Sequence, residues 1–246
     1  MSESGTGADI LVLHGGAGPG SVATIAAHLA KTAHVLTPTH PGWDGTSRPA
    51  EVNTIGDVAE LYLRLLHERD LREVVVVGSS IGGWIAAEMA VRDTANRLAG
   101  LVLIDAVGIR VDGAPIRDIF ALTPEQVARY SWHDPARALS NAPEPTPEQS
   151  AVRAANMAAL RHYAGDPYMH DPELAARLPE VSLPTLLLWG ESDGIATSAY
   201  AAAYADAFPD ARLEIITAAG HLPHLEQPRA TFAHLDAYLR QLRASA

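Results

Sequence analysis

The segment that decides the fold reads Val74-Val-Val-Val-Gly78-Ser79-Ser80-Ile81-Gly82-Gly83-Trp84-Ile85-Ala86-Ala87-Glu88. Its four successive valines are typical of a parallel strand that is buried on both faces, and a helical pattern follows the glycines. Between them lies G-x-S-x-G, the spacing of a sharp strand-to-helix turn that exposes a serine. Gly78 and Gly82 stand two residues either side of Ser80, where close backbone approach excludes side chains. Ser79 lacks glycines at both positions, so Ser80 is the candidate nucleophile.

Five further runs rich in Val, Ile and Leu accompany this segment, and helical patterns separate most of them. A helix from Thr54, with Asp57 in the capping-box position, and a last helix from Pro228 fit this order. We therefore predict an α/β fold with a doubly wound, mostly parallel sheet of about six strands. The runs are Ile10–Leu13, His34–Thr37, Val74–Val77, Leu101–Ile104, Thr185–Leu188 and Leu213–Ile216.

Residues 112–179 interrupt the alternation of strands and helices. They hold no convincing strand, but Thr123–Tyr130 and Glu148–Tyr163 are compatible with helices, and a proline-rich connector, Asn141–Pro147, divides them. A stretch of about 70 residues far exceeds an ordinary connection. We therefore predict a core of residues 1–111 and 180–246 with a helical cap insertion at residues 112–179.

The predicted insertion begins at the edge of the sheet where open α/β sheets bind ligands. We therefore expect it to lie over Ser80 as a cap. Most of its apolar residues must pack against the core, but a few should face a substrate in a mainly apolar pocket. Trp132, Met157 and Tyr163 are the predicted substrate-binding residues.

The composition narrows the classes of function. The 246 residues are 48% apolar and carry a formal net charge of −11. This charge repels nucleic acid and anionic membrane surfaces, so neither is an expected partner. The absence of cysteine excludes disulfides and thiolate catalysis. The N-terminus has no signal-peptide pattern and no segment has the length of a membrane span, so we expect a soluble cytoplasmic protein.

Two further motifs occupy the positions that a serine-based site on such a sheet requires. Gly220-His221-Leu-Pro-His224-Leu-Glu226-Gln-Pro228 follows the last strand, and Leu11-Val-Leu-His14-Gly15-Gly16 contains the first. With these motifs and the serine turn, the chain resembles the α/β-hydrolase family over most of its length outside the insertion. The segment Thr39–Pro49 resembles a second loop of that family, with His40 where many relatives have an acidic or other polar residue.

The resemblance implies a serine hydrolase with Ser80 as nucleophile and His221 as its base. It also implies an oxyanion hole formed by the backbone N–H groups of Gly16 and Ile81. Members of the family usually have further strands before the His-Gly strand, whereas nine residues precede Ile10. We therefore expect those strands to be missing, which leaves an all-parallel sheet with an edge at His34–Thr37.

The acid of such a site should orient the histidine from the end of a strand and stabilise its charged form. Asp193 lies just past a strand in Trp189-Gly-Glu-Ser-Asp193 and matches the commoner arrangement of the family, so we favour it. Asp105 also ends a strand and stays open as the rival, and Glu191 is a weaker contender.

The expected reaction is cleavage of a small-molecule carboxylic ester or lactone through an acyl-enzyme intermediate. Two alternatives stay open. His14-Gly-Gly-Ala-Gly-Pro19 superficially resembles C–C bond hydrolases of dicarbonyl compounds, although that group commonly has tryptophan where this chain has Leu222. A non-catalytic ligand-binding module can keep the same scaffold.

No cofactor and no metal are predicted. Gly18–Ala23 fits a dinucleotide-binding pattern, but the second strand does not end in the acidic residue that would hold the ribose. A metal site is suggested by the close spacing of His221, His224 and Glu226. However, Pro223 lies among them, and the H-E-x-x-H spacing of a helical metal site is missing.

Overall fold

The structure is a computed structural model that describes residues 1–136 and 146–245. The strands are β1 (Ser2–Ser4), β2 (Asp9–Leu13), β3 (His34–Thr37), β4 (Val74–Ser79), β5 (Leu98–Ile104), β6 (Thr185–Gly190) and β7 (Ala211–Ile216). The α-helices are α1 (Ala23–Leu29), α2 (Ile55–Glu68), α3 (Ile81–Ala90), α4 (Pro124–Ser131), α5 (Pro147–Ala164), α6 (Leu174–Arg177), α7 (Ser198–Asp206), α8 (Pro223–Glu226) and α9 (Pro228–Ser245). None of these helices has the length and apolarity needed to cross a bilayer.

The sheet runs in the order β1-β3-β2-β4-β5-β6-β7, and all pairs from β3 to β7 are parallel. Side chains alternate between its faces. Val74 and Val76 face the core under α2, α3 and α7, whereas Val75 and Val77 face the core under α1 and α9. Because helices cover both faces, the inner strands are apolar throughout, and the predicted doubly wound α/β fold is confirmed.

The expectation of an all-parallel sheet without a strand before Ile10 is wrong. β1 pairs with β3 in the antiparallel direction, with Glu3 opposite Leu36. All three residues of β1 are exposed and polar, so no apolar pattern reveals the strand in the sequence. Backbone pairing holds it in place, and Glu3 also forms an ion pair with Arg69. β1 therefore covers the edge of β3 that the sequence predicts to be free.

Residues 112–179 contain α4, α5 and α6, in agreement with the predicted helical stretches. α4 and α5 each begin with a capping box, in which Thr123 or Thr146 accepts a hydrogen bond from the amide of the glutamine three residues on. Residues 141–145, which form most of the predicted connector, lie outside the described residues.

Ser80 is the single residue between β4 and α3, and it has φ 55° and ψ −117°. The glycines beside it allow this turn. A Cβ atom at Gly78 would collide with the backbone of Gly82. One at Gly82 would lie 2.7 Å from the carbonyl oxygen of His14 and closer still to that of Leu13. The turn thus requires glycine at both positions, as the sequence predicts.

Gly82→Ala should lower the free energy of unfolding by about 3 kcal/mol, because the new methyl group overlaps two backbone carbonyls that cannot move apart cheaply. Urea denaturation measures this change. Gly20→Ala is the matched control, since a Cβ at this exposed glycine meets nothing within 4 Å. Equal stability of the two variants would contradict the close contact between α3 and the end of β2.

Candidate active site

Ser80, His221 and Asp193 meet at the carboxyl edge of the sheet, just beyond β4, β7 and β6. His221 Nε2 lies 3.0 Å from Ser80 Oγ, and His221 Nδ1 lies 2.7 Å from Asp193 Oδ2. Asp193 Oδ1 accepts hydrogen bonds from the amides of Ile195 and Ala196. Both carboxylate oxygens therefore have donors, which fixes the carboxylate and the imidazole ring that it contacts. The arrangement can activate a serine hydroxyl as a nucleophile.

The two other acids considered from the sequence lie in different surroundings. Asp105 makes no hydrogen bond to His221 among the described residues and instead accepts one from the amide of Gly190, at 2.9 Å. Burial, together with the nearby Asp193 carboxylate, raises the pKa of Asp105 well above its usual value. Glu191 is exposed and accepts a hydrogen bond from the amide of Ala218.

Asp105, Asp193 and His221 each place one potential metal-ligand atom within 4.8 Å of the others. The 2.7 Å distance between Asp193 Oδ2 and His221 Nδ1 is that of a charge-assisted hydrogen bond. Two ligands of one ion, each about 2 Å from it, need a wider separation at tetrahedral angles. The cluster therefore suits proton transfer better than metal binding.

The loop after β2 brings Gly15 and Gly16 to the same cavity as Ser80. His14 Nδ1 donates a hydrogen bond to the carbonyl oxygen of Gly15 at 2.7 Å. In a trans peptide the N–H points opposite to the C=O, so the N–H of Gly16 points away from the ring of His14. Ile81 opens α3, where the first N–H groups have no partner within the helix. Gly16 thus lines the same cavity as Ser80, and Ile81 directly follows that serine.

Two stacked histidines support this loop. The rings of His14 and His40 have centroids 3.6 Å apart. The amide of His40 donates to His14 Nε2, and His40 Nε2 donates to the carbonyl oxygen of His14. The hydroxyl of Tyr62 donates to His40 Nδ1 at 2.6 Å. Both rings are neutral, because burial lowers the pKa of His14 to about 4 and that of His40 well below its usual value. The sequence gives no role to His40, because its hydrogen bonds to His14 and Tyr62 are tertiary contacts.

The loops of His221 and Asp193 are held by the end of α4. The amide of His221 donates to the carbonyl oxygen of Ser131 at 2.8 Å, and the amide of Gly194 donates to that of Tyr130 at the same distance. The last carbonyls of a helix have no partner within it. The end of α4 therefore supplies acceptors that position both of these loops.

Glu226 adds a second connection between these regions. This buried carboxylate accepts hydrogen bonds from the amide of Gly220, at 2.7 Å, and from the amides of His133 and Asp134. Gly220 directly precedes His221, so Glu226 ties the histidine loop to the segment after α4. The sequence suggests for Glu226 only a metal-ligand role that its spacing does not support, although its position in the motif that begins at Gly220 is the signal that points to it.

A cavity of about 490 Å³ lies over Ser80 and His221. Two of the predicted substrate-binding residues, Trp132 and Met157, line it. Tyr163 does not: it is buried and stacks on Trp43, with ring centroids 5.4 Å apart. Successive helix residues are about 100° apart, so Tyr163 lies on a different face of α5 from Met157. Further apolar lining comes from Ile116, Ile119, Val127, Leu160 and Met169.

The family model described as the alpha/beta hydrolase family matches residues 10–235. The chain belongs to the α/β-hydrolase family. Its relatives include a pimeloyl-[acyl-carrier protein] methyl ester esterase of Aromatoleum aromaticum, 30% identical over 89% of this chain and 93% of the relative. A 2-hydroxy-6-oxononadienedioate/2-hydroxy-6-oxononatrienedioate hydrolase of Cupriavidus pinatubonensis is 26% identical over 93% of this chain and 86% of the relative.

A solved structure of a thermophilic esterase from Thermogutta terrifontis matches this α/β hydrolase with a TM-score of 0.68 and 25% identity. The match covers 98% of this chain and 92% of the esterase. Because esterases and other hydrolases recur among these relatives, the protein is an α/β-hydrolase enzyme, and the non-catalytic alternative is set aside.

His224, the second histidine of the loop, has a structural environment. Its Nε2 donates to the carbonyl oxygen of Ser21 at 2.9 Å, and its Nδ1 is buried without a partner among the described residues. Burial lowers the pKa of His224 to about 4. The ring is therefore neutral in the fold and packs the loop against the segment before α1.

The free energy of unfolding should fall as the pH is lowered from about 6.5 to about 4, because unfolded His14 and His224 take up protons that the folded rings exclude. The loss in the free energy of unfolding should reach about 3 kcal/mol for each ring. His224→Gln should reduce this slope in urea denaturation series across that pH range. His162→Gln, at an exposed histidine, is the control. Identical slopes in all three proteins would refute the buried neutral His224.

Proposed function

We propose that the protein hydrolyses a carboxylic ester or lactone through an acyl-enzyme intermediate on Ser80. The observation that carries the proposal is the 3.0 Å approach of His221 Nε2 to Ser80 Oγ at the base of an apolar cavity. The esterases among the relatives support an ester substrate, since they share the fold over most of their length.

In this mechanism His221 Nε2 accepts the Ser80 proton while Oγ attacks the carbonyl carbon of the substrate. The N–H groups of Gly16 and Ile81 stabilise the resulting oxyanion, each by about 3 kcal/mol. His221 then donates its proton to the leaving oxygen. Water hydrolyses the acyl-enzyme with His221 again as base. Asp193 keeps the Nδ1 proton in place and stabilises the imidazolium that forms.

We further propose that residues 112–179 act as a cap over a core of residues 1–111 and 180–246. Trp132 and Met157 reach the cavity from this insertion, and most other side chains that it contributes to the lining are apolar. Such a lining favours an acyl group of small or medium size over a charged one. Substrate selection in this proposal comes from the insertion, and reactivity comes from the loops of the core.

A C–C bond hydrolase of dicarbonyl compounds is the second candidate, because one relative is named as a dienedioate hydrolase. A serine, a histidine and an aspartate can serve either reaction. Leu222, which lines the cavity, stands where that group commonly has tryptophan, so the ester is favoured. Assays of p-nitrophenyl esters, lactones, thioesters and a 2-hydroxy-6-oxo-dienoate on the purified protein decide between the candidates.

Ser80→Ala and His221→Ala should each lower kcat/KM for p-nitrophenyl esters by a factor of about 10³ or more, because each removes a partner of the proton transfer. Circular dichroism checks that the variants fold. His224→Gln should retain most of the activity, since its ring contacts Ser21 rather than Ser80. Near wild-type hydrolysis by Ser80→Ala would disprove the serine mechanism.

Met157→Ala should raise KM for p-nitrophenyl octanoate about fivefold while leaving KM for the acetate ester nearly unchanged, because only the longer chain reaches this side chain. Trp132→Ala should also raise KM for the octanoate ester more than KM for the acetate ester. Val152→Ala removes an exposed apolar side chain from the same helix that does not line the cavity and serves as the control. A uniform change across chain lengths would argue against a cap that selects acyl groups.

A further inference from the structure

We infer that Asp105 is a protonated positioning residue that donates a hydrogen bond to the Asp193 carboxylate and so extends the Ser80-His221-Asp193 chain by one member. The inference rests on the proposed function, because it assigns the role of Asp105 in that same reaction. The carboxyl group of Asp105 is buried and has no part in the proposed mechanism.

The position of Asp105 is an unusual one for an acidic side chain. It directly follows β5, is 0% exposed and has a left-handed backbone with φ 44°. One of its oxygens, Oδ1, accepts from the amide of Gly190 at the end of β6. The other, Oδ2, is buried without a hydrogen-bond donor among the described residues. A buried carboxylate with one oxygen unpaired is strongly disfavoured.

The groups around Asp105 add negative charge. One oxygen of Asp105 and one of Asp193 lie within 4.8 Å of each other and of a ring nitrogen of His221. The Glu226 carboxyl also raises the pKa of Asp105, with burial as the largest cause and Asp193 as the next. Two buried carboxylates this close cannot both be ionised at little cost, so one of them keeps a proton.

The hydrogen bonds decide which carboxyl keeps the proton. Asp193 accepts from the amides of Ile195 and Ala196 and contacts His221 Nδ1, so three donors stabilise its charged form. Asp105 accepts from the amide of Gly190. Because hydrogen bonds to the charged form favour ionisation, Asp193 is the carboxylate and Asp105 is the acid. A proton on Oδ2 also turns the unpaired oxygen into a donor, for which Asp193 is the adjacent acceptor.

This hydrogen bond changes the chemistry of the histidine. A donor to Asp193 withdraws negative charge from the carboxylate, which then stabilises the imidazolium less. The basicity of His221 is therefore lower with Asp105 in place than without it. A residue that only fills space behind Asp193 would affect stability and would leave the titration of the base unchanged.

The experiment compares Asp105→Ala with Asp105→Asn across the pH profile of kcat/KM. Asp105→Ala should raise the apparent pKa of the basic group by about half a unit or more, because the donor to Asp193 is lost. Asp105→Asn should restore the wild-type profile, since its amide can accept from Gly190 and donate to Asp193. Asp193→Asn should instead lower kcat by about 10³–10⁴. An Asp105→Asn variant as inactive as Asp193→Asn, or an unshifted profile in a folded Asp105→Ala, would overturn the inference.

Infrared spectroscopy tests the proton without relying on activity or on the folding of Asp105→Ala. At neutral pH the wild-type protein should show the C=O stretch of a protonated carboxyl group that Asp105→Asn lacks. The Ser80→Ala variant should keep this band, so a failure of the proposed hydrolysis and a failure of this inference give different results. Absence of the band from the wild-type protein would show that Asp105 is ionised.

Discussion

The backbone of Ser80 is the constraint on which the site depends. Its positive φ is an unfavourable conformation for serine, at a cost of about 1–3 kcal/mol. The burial of nearly every residue of α3 offsets this strain. Because Gly82 has no side chain, the start of that helix lies directly against the end of β2. The same contact places the Gly15–Gly16 loop beside the serine, so one close approach of backbone to backbone positions both the candidate nucleophile and the candidate oxyanion donors.

Several ionisable groups are buried around this turn. The surroundings of most of them favour a single protonation state, either charged or neutral. His14, His40 and His224 are neutral because burial disfavours their charged forms. Asp193 is surrounded by donors, in contrast to Asp105. In the proposed mechanism these uncharged rings surround the one ion pair, between Asp193 and His221, that forms during the reaction. In that mechanism the main change of charge is on Ser80 and His221, between which the proton is transferred.

The features that the sequence predicts well have local causes. The serine turn, the apolar strands and several helix starts depend on neighbouring residues. Glycines mark the turn, runs of Val, Ile and Leu mark the strands, and capping boxes mark those helix starts. What it misses depends on contacts between distant segments: β1 is held by backbone pairing to β3, and Tyr163 is turned toward Trp43 rather than the cavity. The sequence favours Asp193 by its motif but keeps Asp105 open as a rival, because both residues follow strands. The hydrogen bond between Asp193 Oδ2 and His221 Nδ1 is a tertiary contact that the sequence does not reveal.

The contact between α4 and the loops of His221 and Asp193 limits how this scaffold can be rebuilt. Ser131 and Tyr130 accept from the amides of His221 and Gly194, so a chimera that replaces the entire insertion would leave the buried His221 with an unpaired N–H. Residues 112–179 thus both support the loops of His221 and Asp193 and line the cavity. An exchange that keeps α4 and substitutes α5, the helix carrying Met157, would change the cavity lining and leave the hydrogen bond from His221 to Ser131 intact.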